Sequence, residues 1–301
     1  MIKYNFNLIS SLFIAILLMS SCNDNEIPEE DDGQKQVEKK VIDPNRAFNT
    51  TFDGKLFSVP SPIQTALLIQ STNMEYDEEL LNDQDKASNY ISTTSQALNL
   101  GIYGADLSYA TLYNKFALAL NYLNAIENLS NRLGIAGAFD ANFLTRFEEN
   151  SNNQDSMLVI LSDAFRNGDN FLKENDRKST SALILTGGWI ESMYFAVNLY
   201  EKSNNKAILN RIGEQKQSLE TIIDILTTYN QEEENSELIV QLEELNTFFD
   251  QIDSQYEYVE PKTDAENKLT TIKSKLIINI SDELKNQIRD KINDIRGNIV
   301  S

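Results

Sequence analysis

Leu98-Asn99-Leu100-Gly101-Ile102-Tyr103-Gly104-Ala105-Asp106-Leu107-Ser108-Tyr109 is the stretch on which the reading of this chain turns. It is apolar enough for a buried helix, yet it carries two glycines. Each glycine costs a helix interior about 0.5–1 kcal/mol relative to alanine. A second segment, Thr186-Gly187-Gly188-Trp189-Ile190-Glu191-Ser192-Met193-Tyr194, has the same character. Close helix packing, a kink, or a ligand approaching the backbone would each require such glycines. The segments also rhyme, because Asp106 and Tyr109 are repeated at one constant offset by Glu191 and Tyr194. Residues i and i+3 share a helix face. If the two helices pack, two carboxylates face each other across the bundle. That arrangement raises the pKa of one of them or binds a cation.

The candidate ligand-binding residues are therefore Tyr103, Asp106, Tyr109, Trp189, Glu191 and Tyr194. A plainer reading accounts for the same residues. Small residues at a helix crossing, aromatic side chains in the core, and carboxylates satisfied by tyrosine hydroxyls or helix N-termini need no ligand. A lone Trp in a helical bundle is ordinarily core.

Helical periodicity extends outward from these segments in both directions. Ser61 followed by Pro62 reads as an N-cap with proline at the first helical position. Residues 73–85 are polar and irregular, and a turn is expected near Asn114 or Lys115. Ala119, Leu123, Ile126, Leu129 and Leu133 then form one stripe, closed by Gly134. Asp140 is a candidate cap for a short helix through Phe147, and Asn153 or Asp155 for the next. Residues 206–229 read as one helix, and Leu238, Leu242, Leu245 and Phe249 as another. Near the C-terminus, Tyr256–Val259 and Lys275–Ile280 alternate around a polar segment containing Pro261. They predict a small antiparallel pair. Ser281 caps a last helix whose first turn holds Asp282 and Glu283. The expected fold is all-α for the most part: a bundle of about eight or nine helices with a small β-hairpin-like element near the C-terminus.

Composition narrows the chemistry. The 301 residues include no His, one Cys and one Trp, and carry a net charge of −20. The lack of His removes the commonest general base and the commonest metal ligand. Acidic balance argues against nucleic acid, whose affinity comes from Lys and Arg meeting phosphates. No nucleophile elbow, P-loop or dinucleotide fingerprint is present. No catalytic residue, metal site or cofactor is expected.

The N-terminus reads as an address. Residues 1–21 combine Lys3, an apolar run from Leu8 to Met19 and the small Ser20 and Ser21. This run is too short to span a bilayer as a helix and suits a signal peptide. Leu18-Met19-Ser20-Ser21-Cys22 resembles a bacterial lipobox, with Met19 where Leu is usual. That resemblance implies cleavage before Cys22 and lipidation of it. Residues 22–41 hold the acidic Pro28-Glu29-Glu30-Asp31-Asp32-Gly33 and read as a disordered tether. They also resemble the acidic export signals of surface lipoproteins in Bacteroidetes. Residues 42–301 remain as a single helical domain.

The Leu98–Tyr109 phrase, with Ser61-Pro62 upstream and Thr186–Glu191 downstream, resembles a family of uncharacterised Bacteroidetes outer-membrane lipoproteins. The resemblance spans most of residues 56–301 and transfers no activity. It implies an outer-membrane, lipid-anchored and surface-exposed protein. The leading expectation is a non-enzymatic binding or assembly component of the cell envelope, with an envelope protein or a small ligand as partner. The alternatives are a small-ligand-binding lipoprotein using the two glycine segments, or a glycan-acting hydrolase using Asp106 and Glu191. Such a hydrolase needs its two carboxyl groups roughly 5–9.5 Å apart beside the scissile bond.

Overall fold

Asp53 and Gly54 both have positive φ, at 48° and 78°. This is the backbone twist that a tight two-residue hairpin turn requires, and Asp-Gly is a favoured pair for it. Strand β1 (Phe48–Phe52) accordingly folds back antiparallel onto β2 (Lys55–Val59). This hairpin was not expected from periodicity. The computed structural model describes residues 48–301 except 60, 139–141, 231–232 and 266–268. Residues 1–21, Cys22, the acidic stretch to 41, and Asp140 lie outside the described residues. All described residues belong to one compact unit.

Ser61 caps α1 (Pro62–Ser71) as expected, in a full capping box with Gln64. Two short 3₁₀ turns, Glu78–Leu80 and Gln84–Asn89, occupy the polar region before α2 (Thr93–Leu112). Helix α3 (Phe116–Leu133) ends on Gly134 at φ 68°, the left-handed position foreseen for it. Next come α4 (Phe143–Glu149), α5 (Gln154–Glu174, capped by Asn153) and the long α6 (Lys178–Ser203). Residues 206–229, expected as one helix, divide into α7 (Lys206–Gly213) and α8 (Lys216–Tyr229). The break has two inward demands beside it. A Cβ on Gly213 would lie 2.5 Å from Ile278 Cγ2. The Gln215 side chain turns into the core, where its Oε1 accepts from Trp189 Nε1 at 3.2 Å.

Helix α9 (Ser236–Phe249) leads into the C-terminal strands. The expected pair is present: β3 (Asp253–Glu257) lies antiparallel to the later β6 (Lys275–Asn279), with Tyr256 opposite Leu276. Between them, β4 (Lys262–Asp264) and β5 (Leu269–Thr271) form a further antiparallel pair. Helix α10 (Asp282–Val300) closes the fold, capped by Ser281. The protein is thus mostly helical, with ten α-helices and three two-stranded pairs among the described residues. None of these helices is long and apolar enough to cross a membrane.

Helices α2 and α6 form the centre. Every α2 residue from Gln96 to Leu112 is buried, so this helix has no solvent face. The reason for its glycines is visible at the crossing. A Cβ on Gly101 would lie 2.0 Å from the Ile184 carbonyl oxygen. One on Gly187 would lie 2.0 Å from the Leu98 carbonyl oxygen. The two backbones touch, and only glycine permits it. Helices α1, α5, α8 and α10 pack around this pair.

Candidate functional site

The crossing has two sides of opposite chemistry. On one side, α2 presents Asp106 and α6 presents Glu191, both with no solvent exposure. The two acids face each other, as the repeated spacing suggested. The third member is Arg296 of α10, whose guanidinium grips both Glu191 oxygens at 3.0 Å. It also stacks over the Tyr194 ring, 4.4 Å from the centroid. Burial pushes the Asp106 carboxyl well above the usual range, and the negative Glu191 adds to the shift. Burial raises Glu191 as well, opposed by the charge and hydrogen bonds of Arg296 and by a bond from Asp106. At Asp106 a hydrogen bond to Glu191 adds to the rise, and the Asn82 backbone and the Arg296 charge oppose it. Burial and the neighbouring Glu191 favour the neutral form of Asp106, while Arg296 favours the ionised form of Glu191.

The tyrosines around this triad are anchored to backbone. Tyr103 donates to the Asp83 carbonyl at 2.8 Å. Tyr122 donates to the Asn82 carbonyl at 2.8 Å. The Tyr109 hydroxyl accepts from the Asp77 amide at 3.1 Å, and its ring stacks on Tyr76. Burial raises the phenol pKa at Tyr103, Tyr109 and Tyr122, so all three stay neutral. Arg296 occupies the place beside Glu191 where a cation would sit. Among the described residues no cluster of three metal-ligating side chains occurs.

The other side of the crossing is hollow. An apolar cavity of about 110 Å³ lies between α2, α3, α5 and α6. Leu100, Gly104, Leu123, Leu161, Phe165 and Trp189 contribute to its walls. It is partly open to the surface rather than sealed. An apolar cavity of roughly 150 Å³ can stay dry and accept benzene. This one is therefore close to the size of a six-carbon group.

Among the described residues, Ser61, Ser181 and Asp169 bring polar groups to the wall. Asp169 is held by three donors. Ser181 donates to Oδ1 at 2.5 Å, while Thr50 and Lys173 donate to Oδ2 at 2.8 and 2.6 Å. Lys173 also donates to the Thr50 hydroxyl and lies over the Phe52 ring, 4.0 Å from its centroid. The β1–β2 hairpin is thereby fastened to α5 beside the cavity. Burial lowers the Lys173 pKa, opposed by its bond to and the charge of Asp169.

No family model, curated protein or solved structure matches this chain. Of the six candidates named from the sequence, only Trp189 lines the cavity. Tyr103, Asp106, Tyr109, Glu191 and Tyr194 lie off its wall, in the polar side of the core or at its margin. Asp106 and Glu191 are sealed from solvent and engaged with each other and Arg296. That placement gives a glycan no access to the pair. Periodicity missed Asp169, Ser181 and Arg296. The signal for Asp169 was its spacing from Lys173, an i, i+4 pair on α5.

Proposed function

We propose that this protein is a lipid-tethered component of the bacterial envelope that binds a small apolar molecule, or the apolar end of a larger one, without chemical conversion. The cavity carries the reading. Its wall is mostly apolar, and the side chains of the described residues leave it unfilled. A ligand that filled it would stabilise the fold by mass action. The lipobox at Cys22 and the acidic segment after it support tethering at the outer membrane, facing outward. The Leu98–Tyr109 and Thr186–Glu191 phrases support membership of the lipoprotein family they resemble.

The single Trp of the chain sits in the cavity wall, so its emission reports occupancy. Titration with 1-bromohexane should quench Trp189 saturably, because bromine is a heavy-atom quencher. Filling the cavity with Ala164→Leu should abolish the saturable part while the fold is retained. Linear, non-saturating quenching in both proteins would overturn the reading. Tethering is tested separately: Cys22→Ser should move the protein out of the membrane fraction.

A second reading, assembly with an envelope protein, is favoured by one observation. Tyr256, Tyr258, Leu269 and Ile272 of the β3–β6 region are large, apolar and exposed. Pull-down of the full chain, compared with a Tyr256→Ser/Tyr258→Ser variant, should lose a stoichiometric partner if this surface is used.

A further inference from the structure

We infer that the ligand of this cavity presents a hydrogen-bond-donating head, a hydroxyl or an amine, to Asp169, and that a free carboxylate is excluded. The inference rests on the cavity reading above and deepens it. Its basis is the asymmetry of the polar end. A carboxylate offers about four acceptor positions over its two oxygens. Thr50 and Lys173 use both positions on Asp169 Oδ2, whereas Ser181 uses one on Oδ1. The remaining acceptor position is therefore on Oδ1, and Asp169 is part of the cavity wall. It calls for a donor.

The cation beside Asp169 is turned away from the cavity. Lys173 is absent from the wall and spends its ammonium on Asp169, Thr50 and the face of Phe52. Among the described residues no Lys or Arg lines the cavity. A ligand carboxylate would thus lose water beside the negative Asp169 without a counter-charge, which is strongly unfavourable. A hydroxyl would replace its lost water bond with one to Oδ1. An amine would do so with charge assistance.

Gly168 of α5, next to Asp169, also lies on the wall, and a Cβ built on it would meet nothing within 4 Å.

The test uses one six-carbon chain with different heads on the full-length protein at pH 7. Quenching of Trp189 by 6-bromohexan-1-ol and by 6-bromohexanoate gives two affinities, and displacement of the alcohol by hexylamine gives a third. The alcohol and the amine should bind at least about tenfold more tightly than the carboxylate, a factor corresponding to about 1.4 kcal/mol. Asp169→Asn should shrink the alcohol-to-carboxylate ratio to below about threefold. Equal or tighter binding of 6-bromohexanoate to the wild type would overturn the head-group inference and leave the cavity reading intact. Absence of saturable quenching by either bromide would overturn both. The wild-type series needs no variant to fold, so the inference stays falsifiable even if Asp169→Asn is unstable.

Discussion

The two sides of the α2–α6 crossing solve the same problem in opposite ways. The Asp106 side buries charged and hydroxyl groups and answers them internally, with the neutral form favoured at Asp106, Arg296 on Glu191, and tyrosines on backbone carbonyls. The Trp189 side buries almost nothing polar and leaves its space unfilled. On the polar side Glu191 has Arg296 and the tyrosines have backbone partners, within the chain itself. The hollow side leaves a space of about 110 Å³ that the described side chains do not fill. Burying polar groups does not by itself mark a function. The unfilled volume lies on the other side, and that makes it the candidate site.

The largest expected effect tests the polar side. Arg296→Met leaves Glu191 buried without its counter-charge and should cost about 3–5 kcal/mol in urea unfolding. An effect below about 1 kcal/mol would show that the triad is not holding a buried charge. Next is the crossing that both sides share. Gly187→Ala drives a Cβ into the Leu98 carbonyl and should cost about 3 kcal/mol by forcing the backbones apart. Gly168→Ala, on the hollow side with nothing opposing it, should be neutral or gain a few tenths of a kcal/mol up to about 1.

A third prediction concerns pH. Asp106 has its pKa raised in the folded state. The folded protein therefore keeps a proton that the unfolded chain releases above about pH 4. Its contribution to stability is full below that pH and is lost as pH rises through the folded value. The raised Glu191 acts with the same sign. The stability of wild type relative to Asp106→Asn should fall between pH 5 and pH 8, by at most about 1.4 kcal/mol per pH unit. A pH-independent difference would mean that Asp106 is ionised in the fold. A small effect is also expected on the hollow side. Ala164→Leu should stabilise the unliganded protein by about 0.5–2 kcal/mol, as cavity filling does. A loss instead would mean that the space is too narrow for three added carbons.

Much of the fold was legible in local chemistry. Ser61, Ser281 and Gly134 announce helix ends through the hydroxyl and backbone geometries that caps require, and all three cap helices. The facing acids were legible because a repeated i, i+3 pattern on two glycine-bearing helices fixes a shared face. Other features were less accessible. Asp53-Gly54 is a hairpin turn pair, but its flanking strands, FNTTF and KLFSV, are five residues each and do not alternate cleanly. Arg296 sits on an amphipathic helix where a single Arg reads as solvent-facing. Its inward turn follows from Glu191, which is distant in sequence. The cavity is harder still. Periodicity shows which face of a helix is buried, whereas empty volume depends on how side chains from four helices meet.

The most direct measurement is mass spectrometry of the organic extract from full-length protein purified out of its native envelope, beside the Ala164→Leu variant. The wild type should carry one small apolar molecule with a hydroxyl or amine head at near-stoichiometric amount, and the variant should carry none. An empty wild type, or the same molecule at equal occupancy in both proteins, would contradict the account.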